Sequence, residues 1–184
     1  MTMNNTTTKP TKKESAKTFL KDLIKDIIIA LVVVLIITAC VKPTIVSGQS
    51  MDDTLHNGNY LIVNKLAYKF GEPERGDIIV FNSGEEEHKL WVKRVIGLPG
   101  DVVKTDGKTL YINDAKASEP YIKKGTVAQG EMQTWTVPEG AIFVMGDNRN
   151  NSADSRIIGC VEESAVLGKA VVRLWPVGSI GRIK

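Results

Sequence analysis

The sequence predicts a mostly β fold: one N-terminal membrane helix followed by an antiparallel β domain. Three observations predict it. Ile27 to Val41 runs fifteen residues without a charge behind a cluster of lysines. From Thr44 onward, short apolar stretches rich in β-branched residues are punctuated by Gly, Pro, Asn and Asp at turn spacing. Beyond the apolar run, no periodic segment is long enough to serve as a βαβ crossover, which leaves antiparallel pairing.

Residues 1–18 are rich in Thr, Asn and Lys with little to bury, and are expected to form a disordered cytoplasmic tail. The anchor is expected over 19–43. As a helix, Ile27–Val41 spans about 22 Å, short of the roughly 30 Å hydrocarbon layer. Leu20, Leu23 and Ile24 extend its apolar face, and Lys21 and Lys25 can snorkel to the headgroups. Lysines on the N-terminal side place that end in the cytoplasm and the remainder outside. Residues 44–184 then form one extracytoplasmic domain, with strands expected at Tyr60–Val63, Asp77–Phe81, Lys89–Ile96, Val102–Thr105, Leu110–Ile112, Thr134–Val137, Ile142–Met145 and Ala165–Leu174. Asp106-Gly107 marks a hairpin. Short helical turns are expected at Asp52–His56 and Glu162–Leu167, a solvated acidic loop at Glu85–His88, and a small variable subregion over about 106–137.

Charge narrows the partners. The net +3 resides wholly in residues 1–26, where six lysines face three acidic residues, so the rest of the chain is neutral overall. A neutral domain is a poor nucleic-acid binder. Cys40 and Cys160 cannot form a disulfide framework. Neither they nor His56 and His88 show metal-ligand spacing, so neither metal nor cofactor is expected.

Two distant positions suggest chemistry. Ser50 follows the glycine-containing segment Ser47-Gly48-Gln49, and Lys93 lies within Trp91-Val92-Lys93-Arg94-Val95. In a strand, Trp91, Lys93 and Val95 share one face while Leu90, Val92, Arg94 and Ile96 share the other. Apolar neighbours on both faces bury the lysine, and burial lowers its pKa. Bringing a lysine from about 10.4 to about 8 costs on the order of 3 kcal/mol. A neutral lysine beside a serine makes a nucleophile-and-base pair. Taken singly, Ser50 reads as a loop serine and Lys93 as a snorkelling strand lysine. The segment Gly146-Asp147-Asn148-Arg149-Asn150-Asn151-Ser152-Ala153-Asp154-Ser155-Arg156 changes that balance. It is dense in hydrogen-bonding groups and suits internal ion pairs that rigidify a site.

Together with Gly76–Phe81, Lys93–Asp101, Gly168-Lys169-Ala170 and Trp175-Pro176, these segments resemble the signature boxes of bacterial type I signal peptidases, over roughly residues 20–178. The modest size and single N-terminal pass look more like the Gram-positive members. The resemblance implies a β signal-peptidase catalytic domain on a membrane anchor. It implies a Ser/Lys endopeptidase that removes signal peptides from exported preproteins at small-x-small sites, without a cofactor. Membrane lipids and the secretion translocon are the further partners it suggests. By this resemblance Ser50 is the nucleophile and Lys93 the general base. The main-chain N–H of Ser50 would hold the oxyanion, while Gly48 stands where some relatives add a serine hydroxyl. Met51 follows the nucleophile. Ser152 matches the serine that positions the lysine amine, and Asp147 with Arg94, and Asp154 with Arg156, match bracing ion pairs.

Two positions depart from the family pattern. Asp53 occupies a position usually held by proline, and Asn150 one commonly held by aspartate; Asp53 is expected to face solvent. Two rival readings accompany the main one. One is a catalytically impaired, signal-peptidase-like factor of pilus assembly. The other is a lipid-anchored binding module, because Ile37-Thr38-Ala39-Cys40 resembles a lipobox with Cys40 as the lipidated residue.

Overall fold

The computed structural model describes residues 12–84, 89–122 and 132–183. The expected acidic loop Glu85–His88, most of the expected tail and part of the variable subregion lie outside them. The chain divides into two units, Met1–Ala39 and Cys40–Lys184.

Helix α1 (Lys12–Cys40), in the first unit but for its last residue, contains a 22-residue span, Phe19–Cys40, long and apolar enough to cross a membrane. Twenty-two residues rise about 33 Å, enough for the hydrocarbon layer. The helix differs from expectation at both ends. It starts inside the expected tail, where Lys, Glu and Ala are good helix formers. It ends at Cys40 rather than 43. Pro43 lacks an N–H and disfavours helical geometry at the residue before it, so Val41-Lys42-Pro43 opens a strand instead.

The second unit is built from β1 (Val41–Ile45), β2 (Tyr60–Asn64), β3 (Ile78–Asn82), β4 (Leu90–Gly97), β5 (Val102–Thr105), β6 (Leu110–Ile112), β7 (Ala115–Lys116), β8 (Gln133–Thr136), β9 (Ala141–Met145), a short helix α2 (Ser155–Ile158), β10 (Val161–Glu162), β11 (Val166–Trp175) and β12 (Gly181–Arg182). All eight expected strands form, two with the expected ends and the others with ends shifted by one residue. The expected turn at Glu162–Leu167 is a single 3-10 turn over Glu163–Ala165. Asp52–His56 lies in a hydrogen-bonded turn region, with the Leu55 N–H donating to Met51 O at 2.8 Å.

The strands form two sheets whose pairings are all antiparallel. The larger runs β1-β2-β11-β3-β4-β9-β10, with β12 added to β11; the smaller runs β7-β6-β5-β8. Strand β9 explains how they join. Its Ile142 and Val144 enter one apolar cluster with Ile79, Phe81, Val95 and Val161. The alternate residues Phe143 and Met145 enter another, with Ile96 of β4 and Val103 and Leu110 of the small sheet. With both faces covered, β9 is apolar at every position, and burying each of Ile142, Phe143, Val144 and Met145 contributes about 1.5–3 kcal/mol. A third cluster of Val46, Met51, Leu55, Leu61, Ile78 and Ala170 lies under the Ser50 loop.

Candidate active site

Ser50 sits in the loop that leaves β1, and Met51 anchors that loop by being buried in the core. Gly48 has φ +93°, a left-handed conformation that favours glycine, and its N–H donates to Asn57 Oδ1 at 3.0 Å. The Ser50 loop and the start of β4 line an open cleft of about 760 Å³.

Lys93 lies at the middle of β4, opposite Ile79 of β3, and is 4% exposed. Its Nζ donates to Ser50 Oγ at 2.8 Å and to Val92 O at 3.1 Å. Trp91 shares the strand face, with its ring centre 5.3 Å from Nζ. Burial disfavours the ammonium and brings the Lys93 pKa down to about 8; Asp154 pulls upward and Arg156 downward. A substantial fraction of this lysine is therefore neutral at mildly alkaline pH and able to take a proton from the hydroxyl 2.8 Å away.

Two buried ion pairs flank the strand and loop that carry Lys93 and Ser50. Arg94, on the opposite face of β4, forms a bidentate pair with Asp147, Nε to Oδ1 at 2.9 Å and NH2 to Oδ2 at 2.7 Å. Thr54 Oγ1 donates to the same carboxylate at 2.5 Å, and Arg94 NH1 donates to Gly76 O at 2.8 Å. Asp154 is paired by Arg156 at 2.8 and 2.9 Å and accepts from the Gly146 N–H at 3.0 Å. Burial opposes the charge on Asp154, yet hydrogen bonds and the positive charge of Arg156 hold its carboxyl below the usual range. A side chain at Gly146 would collide with Ser50 O and Ser152 Oγ, so this close approach requires glycine.

The sequence-derived residues therefore converge, with one difference in contact. Ser152 lies against the Gly146 backbone, but its hydroxyl is directed at Ala153 O at 3.4 Å and bonds the Asp154 carboxylate. The lysine amine takes Val92 O instead. A charged acceptor binds a hydroxyl more strongly than a neutral amine does. Asp53 and Asn150 are both exposed, as expected for Asp53. His56 is exposed and pairs with Asp52 at 2.7 Å.

Other contributors carried no separate signal. Glu119 pairs with the buried Arg149 at 2.6 Å, and Arg149 Nε donates to Gly146 O at 2.9 Å. The Tyr121 ring lies 4.0 Å from the Arg94 guanidinium. Burial and then Glu119 push the Tyr121 hydroxyl up to about 12, so it stays neutral. Asp77, next to β3, joins Lys169 at 2.5 Å and Tyr68 at 2.8 Å. Glu119-Pro120-Tyr121 falls in irregular chain, where hydrophobic periodicity has nothing to report.

The family described as "Signal peptidase, peptidase S26" matches residues 20–175, most of the chain. The chain belongs to this family. It is 43% identical over 148 residues to the signal peptidase I of Bacillus licheniformis, covering 76% of this chain and 79% of that protein. Signal peptidase IB of Staphylococcus aureus is 38% identical over 152 residues, covering 74% and 78%. The signal peptidase I of Bacillus caldolyticus is 44% identical over 144 residues, covering 72% and 78%. A crystal structure of a signal peptidase I from Enterococcus faecalis V583 is similar at a TM-score of 0.47 and 38% identity, covering 54% of this chain and 97% of that one. These matches to S26 peptidases favour neither the impaired assembly factor nor the Cys40-tethered module.

Proposed function

We propose that this S26 peptidase cleaves signal peptides from exported preproteins through a Ser50/Lys93 dyad. The observation that carries the proposal is a buried lysine, its pKa lowered to about 8, with its amine 2.8 Å from the serine hydroxyl. Neutral Lys93 takes the Ser50 proton as Oγ attacks the scissile carbonyl. The Ser50 N–H donates to the oxyanion. Protonated Lys93 then hands its proton to the leaving amine, and water releases the acyl group by the same route in reverse. The ion pairs Arg94–Asp147 and Arg156–Asp154 act geometrically by fixing the strand and loop that carry these atoms.

The substrate lies extended in the cleft beside β4, where main-chain hydrogen bonds supply affinity and shallow pockets select small side chains one and three residues before the cut. Lysines flanking the start of α1 keep the N-terminus in the cytoplasm and put the catalytic domain on the outer side of the cell membrane. There it meets membrane lipids, and the secretion translocon as the source of substrate.

Cleavage of a reporter preprotein with an Ala-x-Ala site by the detergent-solubilised full chain tests this reading. Wild type is expected to cut after the second alanine. Ser50→Ala and Lys93→Ala, each folded by circular dichroism, are expected to lose roughly 10⁴-fold or more in kcat/KM. Cutting that survives Lys93→Ala would assign the base elsewhere.

A further inference from the structure

The peptide bond between Gln49 and Ser50 is the hinge of the proposed chemistry, because it carries the Ser50 N–H. A peptide unit is planar and trans, so its C=O and N–H point in opposite directions, and fixing one fixes the other. Gln49 O accepts from the Asn148 side-chain amide at 3.0 Å. The Asn148 main-chain N–H donates to the next carbonyl, Ser50 O, also at 3.0 Å. One residue therefore grips consecutive carbonyls on either side of the nucleophile. Gln49 O also accepts from the Asp52 N–H at 3.2 Å. That bond lies within the same turn and moves with it, whereas Asn148 belongs to the loop after β9 and ties the turn to the sheet. The Gly48 N–H is occupied by Asn57. Among the described residues, the Ser50 N–H has no protein acceptor.

We propose that Asn148 is a positioning residue for the oxyanion site. Its amide holds the Gln49 carbonyl so that the Ser50 N–H stays aimed at the oxygen of the reacting carbonyl. The inference rests on Ser50 being the nucleophile. It gains weight from Gly48, which has no hydroxyl to supply a second donor, so the alignment of the main-chain donor matters more. Removing an oxyanion donor outright lowers kcat by about 10²–10³-fold in other proteases. Loosening one is expected to cost less, about 10–100-fold.

The test uses the full chain in detergent with a signal-peptide substrate. Asn148→Ala keeps the main-chain bond to Ser50 O and removes only the amide. It is expected to lower kcat about 10–100-fold with KM within about threefold of wild type. The rising limb of its pH profile should stay in place, because Lys93 is untouched. A substrate-sequence peptide boronate, which forms an anionic tetrahedral adduct on a serine, should weaken in parallel with kcat/KM. Asn148→Asp, nearly isosteric but presenting no donor, should lose at least as much. It also serves if the alanine variant does not fold. Unchanged kcat in either folded variant overturns the proposal, as does a loss of activity with boronate affinity intact. If Ser50→Ala retained full activity, the dyad reading itself would have failed, which is a separate result.

Discussion

At the scale of single residues, Lys93 stores a cost that the fold must absorb. Its pKa is lowered from an ordinary 10.5 to about 8 by burial. That difference corresponds to roughly 3 kcal/mol. Below about pH 8 the lysine is charged in both folded and unfolded chains, and the whole cost is present. Between about 8 and 10.5 the unfolded chain binds the proton and the folded chain does not, so stability rises with pH. Lys93→Met is therefore expected to stabilise the domain at pH 7 by up to about 3 kcal/mol, with the gain fading as pH climbs through that window. Denaturant melts at several pH values measure this. In the proposed dyad the same titration sets activity. In wild type, kcat/KM should rise with pH to a plateau with a midpoint near 8. A midpoint near 10 would mean that the lysine is not buried in the working enzyme. Lys93 was legible in the sequence because a charge with apolar neighbours on both strand faces is unusual. The hydroxyl contact of Ser152 was not, since local competition from Asp154 decides where that hydroxyl points.

The element that does most for the site is the loop Gly146–Arg156. It starts where β9 ends and brings Gly146 against the Ser50 carbonyl. It also carries Asp147 to Arg94 and closes on itself through Asp154 and Arg156. The two members of its closing ion pair act on Lys93 with opposite signs, because Asp154 raises the lysine pKa and Arg156 lowers it. Arg156→Gln leaves the Asp154 charge uncompensated. The rising limb of the pH profile should then move upward by about one pH unit, making activity at pH 7 about tenfold lower with less change on the plateau. A limb that stayed in place while the plateau fell would show that Arg156 acts through loop geometry alone. The composition of this segment announced an internally bonded scaffold. Its contact with the Ser50 loop, nearly a hundred residues away, required the fold.

At the scale of the whole molecule, the catalytic domain is self-sufficient in its core. Every residue of the three apolar clusters lies beyond Cys40. A chain lacking residues 1–39 is expected to unfold cooperatively, with a Tm within a few degrees of the full chain. Loss of its near-UV circular dichroism would show that the anchor contributes to the fold. Within the domain, the segment after β7 reaches the Gly146–Arg156 loop through Glu119–Arg149, and β4 through the stacking of Tyr121 on Arg94. This region was expected only as a variable subregion. Irregular chain carries no periodic signal, and a long-range ion pair leaves no trace in either local sequence.

The sequence by itself determined the β class, the helix able to span a membrane, the dyad candidates and most of their supporting residues. Those follow from local properties: an uncharged apolar run, strand-length apolar stretches between turn formers, and a lysine set among apolar neighbours. Only the tertiary structure decided that Val41–Pro43 leaves the helix for a strand, that β9 is covered on both faces, and that Asn148 holds two carbonyls around Ser50. Each of these depends on a partner distant in sequence, and a chain read residue by residue does not disclose which of its hydrogen-bonding groups will meet.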